Sequence, residues 1–114
     1  MGTTNILKVA YAAFRELPFP EFPHNEVLAD WLADLAEIDG YYAGLAESAL
    51  SGRCLEHELI ELGSLNQRLA AINEEDLDKE DKKIYYECQA YLRALTGMRD
   101  ALMQFQAQCR CHSD

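Results

Sequence analysis

Eight apolar residues between Ile84 and Cys109 recur at alternating intervals of four and three: Ile84, Cys88, Tyr91, Leu95, Met98, Leu102, Phe105 and Cys109. A mean interval near 3.5 keeps side chains on one stripe of an α-helix, whereas a strand would need a period of two. A second seam obeys the same rule: Leu28, Trp31, Leu35, Ile38, Tyr42, Leu45 and Ala49 follow one another at intervals of three and four. Neither stripe can be buried by a helix alone, so the two must share a core with other helices. Nowhere do β-branched residues alternate with polar ones, and no strand is expected.

The ends of the segments carry their own signals. The first helix is expected over about 4–17, with Ile6, Leu7, Ala10, Ala13, Phe14 and Leu17 inward. Pro18, Pro20 and Pro23 stop it, because proline lacks the N–H of the helical ladder and forces its predecessor toward extended geometry. The 18–23 stretch therefore reads as a helix-to-helix connection, with Phe19 and Phe22 available to pin it to the core. The second helix is expected from about 25 to 50, ended by Ser51-Gly52. A third is expected over 53–72, with Leu55, Leu59, Leu62, Leu65, Leu69 and Ile72 inward. The polar run Asn73-Glu74-Glu75-Asp76 is a turn or the acidic start of a fourth helix over 78–108. The 114 residues suit one domain, 1–114, with a single core. The expected fold is all-α: an antiparallel bundle of one short N-terminal helix and three long ones, completed by dimerisation.

Dimerisation enters through helix lengths. At about 1.5 Å per residue, turns at 50–53 and near 75 would set Trp31 level with Ile72 and Cys54 level with Thr96. The fourth helix beyond Thr96 would overhang its neighbours and expose Met98, Leu102, Met103 and Phe105. Ala36, Gly40, Gly44 and Ser48 also recur every four residues along the second helix, a stripe with almost no side chain. Glycine inside a helix costs about 1 kcal/mol relative to alanine, and close approach of another helix is one reason to tolerate it. That helix is either another part of this chain or, with Tyr41 beside the stripe, a second copy or a different protein.

Charge narrows the partner. The formal net charge is −10, and between Glu21 and Glu61 ten acidic residues face one basic residue, Arg53. Binding to a phosphate backbone needs a basic face, so nucleic acid is not an expected partner. Glu26, Asp30, Asp34 and Glu37 share one side of the second helix and form an acidic face, suited to solubility or to steering a basic protein. No apolar run approaches the roughly 18 residues that span a bilayer. The opening Met1-Gly2-Thr3-Thr4-Asn5-Ile6 lacks the basic start of a secretory leader. The expectation is a cytoplasmic protein without membrane contact, its cysteines thiols rather than a disulfide framework.

Candidate chemistry is sparse. Cys54 with His57, and Cys109 with Cys111 and His112, have ligand types and spacings compatible with zinc. The level argument separates the two groups, so no metal or other cofactor is expected. Cys88 sits in the seam and reads as a small buried hydrophobe. Asp39 borders the other seam, where Arg93 or a tyrosine hydroxyl would meet it. No serine-nucleophile, phosphate-loop or dinucleotide signature is present. The resulting expectation is a small acidic, non-enzymatic interaction protein that binds itself or another protein, in one version a stoichiometric inhibitor or immunity-type protein for a basic partner. The alternative is a ligand- or metal-binding bundle built on His57, Cys54 and the tyrosines.

Overall fold

Both seams form the helices that their spacing demands. A computed structural model describes residues 3–53, 59 and 61–112, with side chains for 5–53, 59 and 61–108. It contains α1 (Thr3–Glu16), α2 (Glu26–Leu50), α3 (Gly63–Ala70), a single 3-10 turn (Glu74–Asp76) and α4 (Lys79–His112). No strand occurs among the described residues. The molecule is a rod, 53 Å long and 23 by 17 Å across. Its length is set by α4, whose 34 residues span about 51 Å at the helical rise.

The helix ends follow local chemistry. The Asn25 side chain caps α2 by accepting from the Leu28 amide at 3.0 Å. At the other end the Arg53 amide donates to the Ser48 carbonyl at 3.2 Å and the Gly52 amide to the Ala49 carbonyl at 3.1 Å. These two bonds make a Schellman turn, which requires the positive φ of 93° that Gly52 adopts. Asn73 caps the 3-10 turn through the Glu75 amide. Asp78 caps α4, accepting from the Asp81 amide at 2.8 Å.

The third segment departs from expectation. Only Gly63–Ala70 is helical there; Arg53, Leu59, Glu61 and Leu62 are not, and residues 54–58 and 60 lie outside the described set. The period of burial is nonetheless kept, since Leu62, Leu65 and Leu69 are buried and Leu59 and Ile72 pack against the core. A leucine can be buried from non-helical backbone, and an isolated eight-residue helix is unstable without tertiary support. Helix persists where aromatic side chains hold it. The Trp31 indole donates to the Leu65 carbonyl at 2.9 Å, and the Tyr85 hydroxyl donates to the Leu69 carbonyl at 3.1 Å.

The expected overhang is also corrected. Met98 and Leu102 are completely buried and Phe105 is 8% exposed; only Met103, at 45%, faces solvent. The reason is the placement of α1, whose contact with α4 is the most extensive between any two helices. Phe14 meets Tyr91 edge-on at 5.1 Å. Tyr11, about one turn earlier, donates to Glu47 near the far end of α2 at 3.1 Å. The start of α1 thus lies along the far half of the α2–α4 pair and covers the seam residues after Tyr91. The third segment is shifted as well: Glu61 reaches Arg99 at 2.7 Å, about ten residues farther along α4 than a continuous helix over 53–72 would place it. α3 rests on a different side of α4, beside Gln89, Leu92 and Arg93.

Candidate functional site

With the far half of α4 covered, the surface of α2 is the main expected contact region left open. At about 100° per residue, Glu26, Asp30, Ala33, Glu37, Gly40 and Gly44 fall within an arc of about 80°, and all six are exposed. Ser48, on the edge of this arc, is half-buried, as is Tyr41, and Ala36, about 40° outside it, is exposed. A methyl group built on Gly40 or Gly44 would meet no heavy atom within 4 Å. Among the described residues, then, no helix packs on Gly40 or Gly44. The result is a face with two halves, acidic over its first three turns and nearly flat beyond Glu37.

Carboxylates in the first turns of α2 also oppose the positive end of its macrodipole, which lowers the cost of clustering them. Asp34 lies at the margin of the face and accepts from Arg68 at 2.7 Å. Glu26, Asp30 and Glu37 have no cation within ion-pairing distance among the described residues. Tyr41 and Tyr42 meet edge-on at 5.7 Å beneath the flat half. Tyr42 is fully buried, and burial raises its hydroxyl above the ordinary tyrosine value, opposed by Arg99.

The expected metal ligands give no site to describe. Cys54 and His57 lie outside the described residues, as do the side chains of Cys109, Cys111 and His112. A cluster that sequence reading missed is instead formed by His24, Asp78 and Asp81. The Asp81 side chain is almost completely buried. Its two oxygens accept from the backbone amides of His24 and Asn25 at 3.0 and 2.9 Å. The His24 ring nitrogen Nδ1 stands 3.6 Å from Asp78 and 3.8 Å from Asp81. These groups sit where α2 and α4 both begin. Two macrodipoles converge there with their positive ends, and the two carboxylates answer them. Asp81 is already committed to amides, and Asp78 to its cap. The arrangement is a clasp that ties the start of α2 to the start of α4. The Asp78 carboxyl is held below its usual range, first by the Asp81 amide and then by His24.

The remaining polar groups are similarly committed. Tyr91 is buried and donates to Asp39 at 2.6 Å, as expected of a tyrosine beside that carboxylate. Burial, then the Asp39 bond, holds the hydroxyl well above its ordinary pKa, so it remains a donor. Phe14 and Phe19 both stack edge-on against the Tyr91 ring, at 5.1 and 5.3 Å, which pins the proline connection to the core. Cys88 is fully buried and its thiol is pushed up to about 12 by desolvation, the behaviour of a small hydrophobe. Beside the proline connection, a groove of about 470 Å³ opens between Pro18–Glu21 and the first turns of α4. None of the described helices is long and apolar enough to cross a membrane. No family model, curated protein or solved structure matches the chain.

Proposed function

We propose that the chain is a small acidic protein-interaction module, with the exposed side of α2 as its docking face. The observation that carries this reading is the open face itself: unpaired carboxylates followed by a flat glycine stretch that no described residue covers. A partner helix can approach closely over Gly40 and Gly44, while its basic residues meet Glu26, Asp30 and Glu37. In its most specific form the module masks a basic protein stoichiometrically, as an inhibitor or immunity-type protein does, in the cytoplasm and without catalysis. Contacts that rise together along α2 and α4, Asn25 with Asp81 and Asp39 with Tyr91, support the antiparallel bundle as its frame.

Photo-crosslinking tests this. A benzophenone side chain at Gly40 is expected to form a specific adduct in lysate of the cells that make the protein, and the same group at the exposed Gln104 of α4 is not. The adduct should fade at about 0.5 M salt, where the Debye length is only a few ångströms, and on charge reversal at Asp30, Asp34 and Glu37. An adduct indifferent to salt and to charge reversal refutes the basic partner.

The open glycine pair also favours a second reading, a homodimer in which two copies of this face cross near Gly44. In an isologous crossing the acidic halves diverge to opposite ends, which limits their repulsion. Light scattering coupled to size exclusion, comparing wild type with Gly44→Leu, separates this from the hetero-partner. The rival reading of a ligand-holding bundle has less support. The hydroxyls of Tyr85, Tyr86 and Tyr91 already donate to Leu69, Glu74 and Asp39.

A further inference from the structure

The groove beside the proline connection is built from two unlike walls. One is the extended stretch Pro18–Glu21; the other is the side of α4 that carries Glu80, Lys83, Ile84 and Glu87. Both walls are fixed before any ligand arrives. Phe19 is held edge-on against Tyr91, Pro20 and Pro23 are buried, and the Asp81 carboxylate holds the amides at the far end of the connection. A preformed groove avoids the entropy cost of ordering on binding.

The chemistry of the groove is graded. Phe19 and Ile84 are half-buried hydrophobics packed on the core, and with Pro18 they give an apolar floor. Glu21, Glu80 and Glu87 supply three carboxylates at the rim against the one ammonium of Lys83. None of these four charged groups lies in an ion pair within the described chain. Of the rim carboxylates, Glu80 lies in the first turn of α4 beside the positive end of its macrodipole, whereas Glu87 lies about two turns farther along the helix and Glu21 lies on the connection. An apolar floor beneath an anionic rim matches a side chain with a hydrocarbon stem and a cationic head. A planar guanidinium suits it best, because it stacks on an aromatic face and offers paired donors to carboxylates. Phe22, which follows the groove's Glu21 in the chain, is 57% exposed, an apolar neighbour for the residues that flank such a side chain.

We infer that this groove is the arginine-reading subsite of the docking surface: it takes an arginine side chain, flanked by apolar residues, from a basic protein partner. The inference rests on the interaction-module reading and extends it from α2 around the start of α4. The guanidinium lies among Glu21, Glu80 and Glu87, and its methylene stem lies over Phe19 and Ile84.

The test is an amide-detected NMR titration of the full chain with the tripeptide N-acetyl-Leu-Arg-Leu-amide. The control is the same peptide with citrulline, which keeps the shape of arginine and removes its charge. Saturable shifts at Phe19, Lys83, Ile84 and Glu87 are expected, with a millimolar-range Kd at least about tenfold weaker for citrulline and for the E80Q/E87Q variant. Both glutamates are exposed, so that variant keeps its fold, and an unchanged spectrum in the absence of peptide checks this. Three results overturn the subsite: equal binding of the citrulline peptide, shifts centred on Asp30 and Glu37 instead, or no saturable shift at all. Failure of the broader module would show differently, as no adduct at Gly40, a readout that the tripeptide does not enter.

Discussion

Replacing Gly40 and Gly44 together by alanine asks the open α2 face a quantitative question. Both glycines lie in the interior of a 25-residue helix, and neither has the positive φ that would penalise a side chain. Glycine to alanine in an exposed helix interior is worth about 0.8–1.0 kcal/mol, mainly through the lost entropy of the unfolded chain. No steric cost is to be subtracted, because an added Cβ meets nothing within 4 Å at either position. The two sites are one turn apart and their methyl groups barely interact, so the effects should nearly add. The expected gain is about 1.5–2 kcal/mol, or roughly 5–12 °C in Tm for a domain of this size. The assay is urea and thermal unfolding followed by circular dichroism, at a concentration where light scattering reports a monomer and with the m-value unchanged. A loss of stability, or no gain, would mean that the face is covered in the isolated protein. Under the proposed function the same double variant binds its partner less tightly while folding more stably, a divergence that a purely solvated face would not show.

Other consequences follow from the buried contacts. Asp81→Asn exchanges an acceptor of two backbone amides for a group with one misdirected donor, and should cost about 2–4 kcal/mol while speeding hydrogen exchange at the His24 and Asn25 amides. The folded-state pKa of Asp78 is depressed below its ordinary 3.8. Its contribution is therefore complete above that pH and is lost as pH falls through the lower folded value, so Asp78→Asn should flatten the acid limb of a stability–pH profile and leave the neutral-to-alkaline limb unchanged. Tyr91→Phe strips Asp39 of its 2.6 Å donor and should cost about 1–3 kcal/mol; in a double-mutant cycle with Asp39→Ala the two losses should be strongly non-additive. Met98→Ala opens a cavity at a completely buried position and should cost about 2–5 kcal/mol, whereas a cost near zero in chemical denaturation would restore the overhang.

The parts of the fold legible in the sequence are those set by local rules. The seams at Leu28–Ala49 and Ile84–Phe105 and the Ser51-Gly52 stop all act within a few residues of chain, and the structure has them as read. The burial of Leu62, Leu65 and Leu69 was legible too, as was the helix under Leu65 and Leu69; the non-helical backbone of Leu59 and Leu62 was not, because a leucine meets the core equally well from helix or from irregular chain. Levels along the rod failed for a related reason. They assume one continuous helix over 53–72, whereas Leu59, Glu61 and Leu62 are not helical, and the resulting shift carries Met98, Leu102 and Phe105 out into solvent. Among the candidate docking residues, the openness of Gly40 and Gly44 was one of two readings that the sequence allowed, and among the described residues it follows from where α1 and α3 pack, which no local signal specifies. Asp81 was missed altogether. An aspartate in the first turn of a helix reads as a partner for that helix's own dipole, and nothing local shows that it serves amides 56 residues away.

That distance has a consequence for the order in which the molecule assembles. Tyr85 reaches Leu69 across sixteen residues and Tyr86 reaches Glu74 across twelve, so the α3–α4 corner can close early, at little cost in loop entropy. The bond from Asn25 to Asp81 must wait until α2, the long connection and the start of α4 are all in position. It is therefore expected to form on the native side of the folding barrier, so that Asp81→Asn speeds unfolding and leaves the folding rate nearly unchanged; a φ-value near 1 at Asp81 would refute this order.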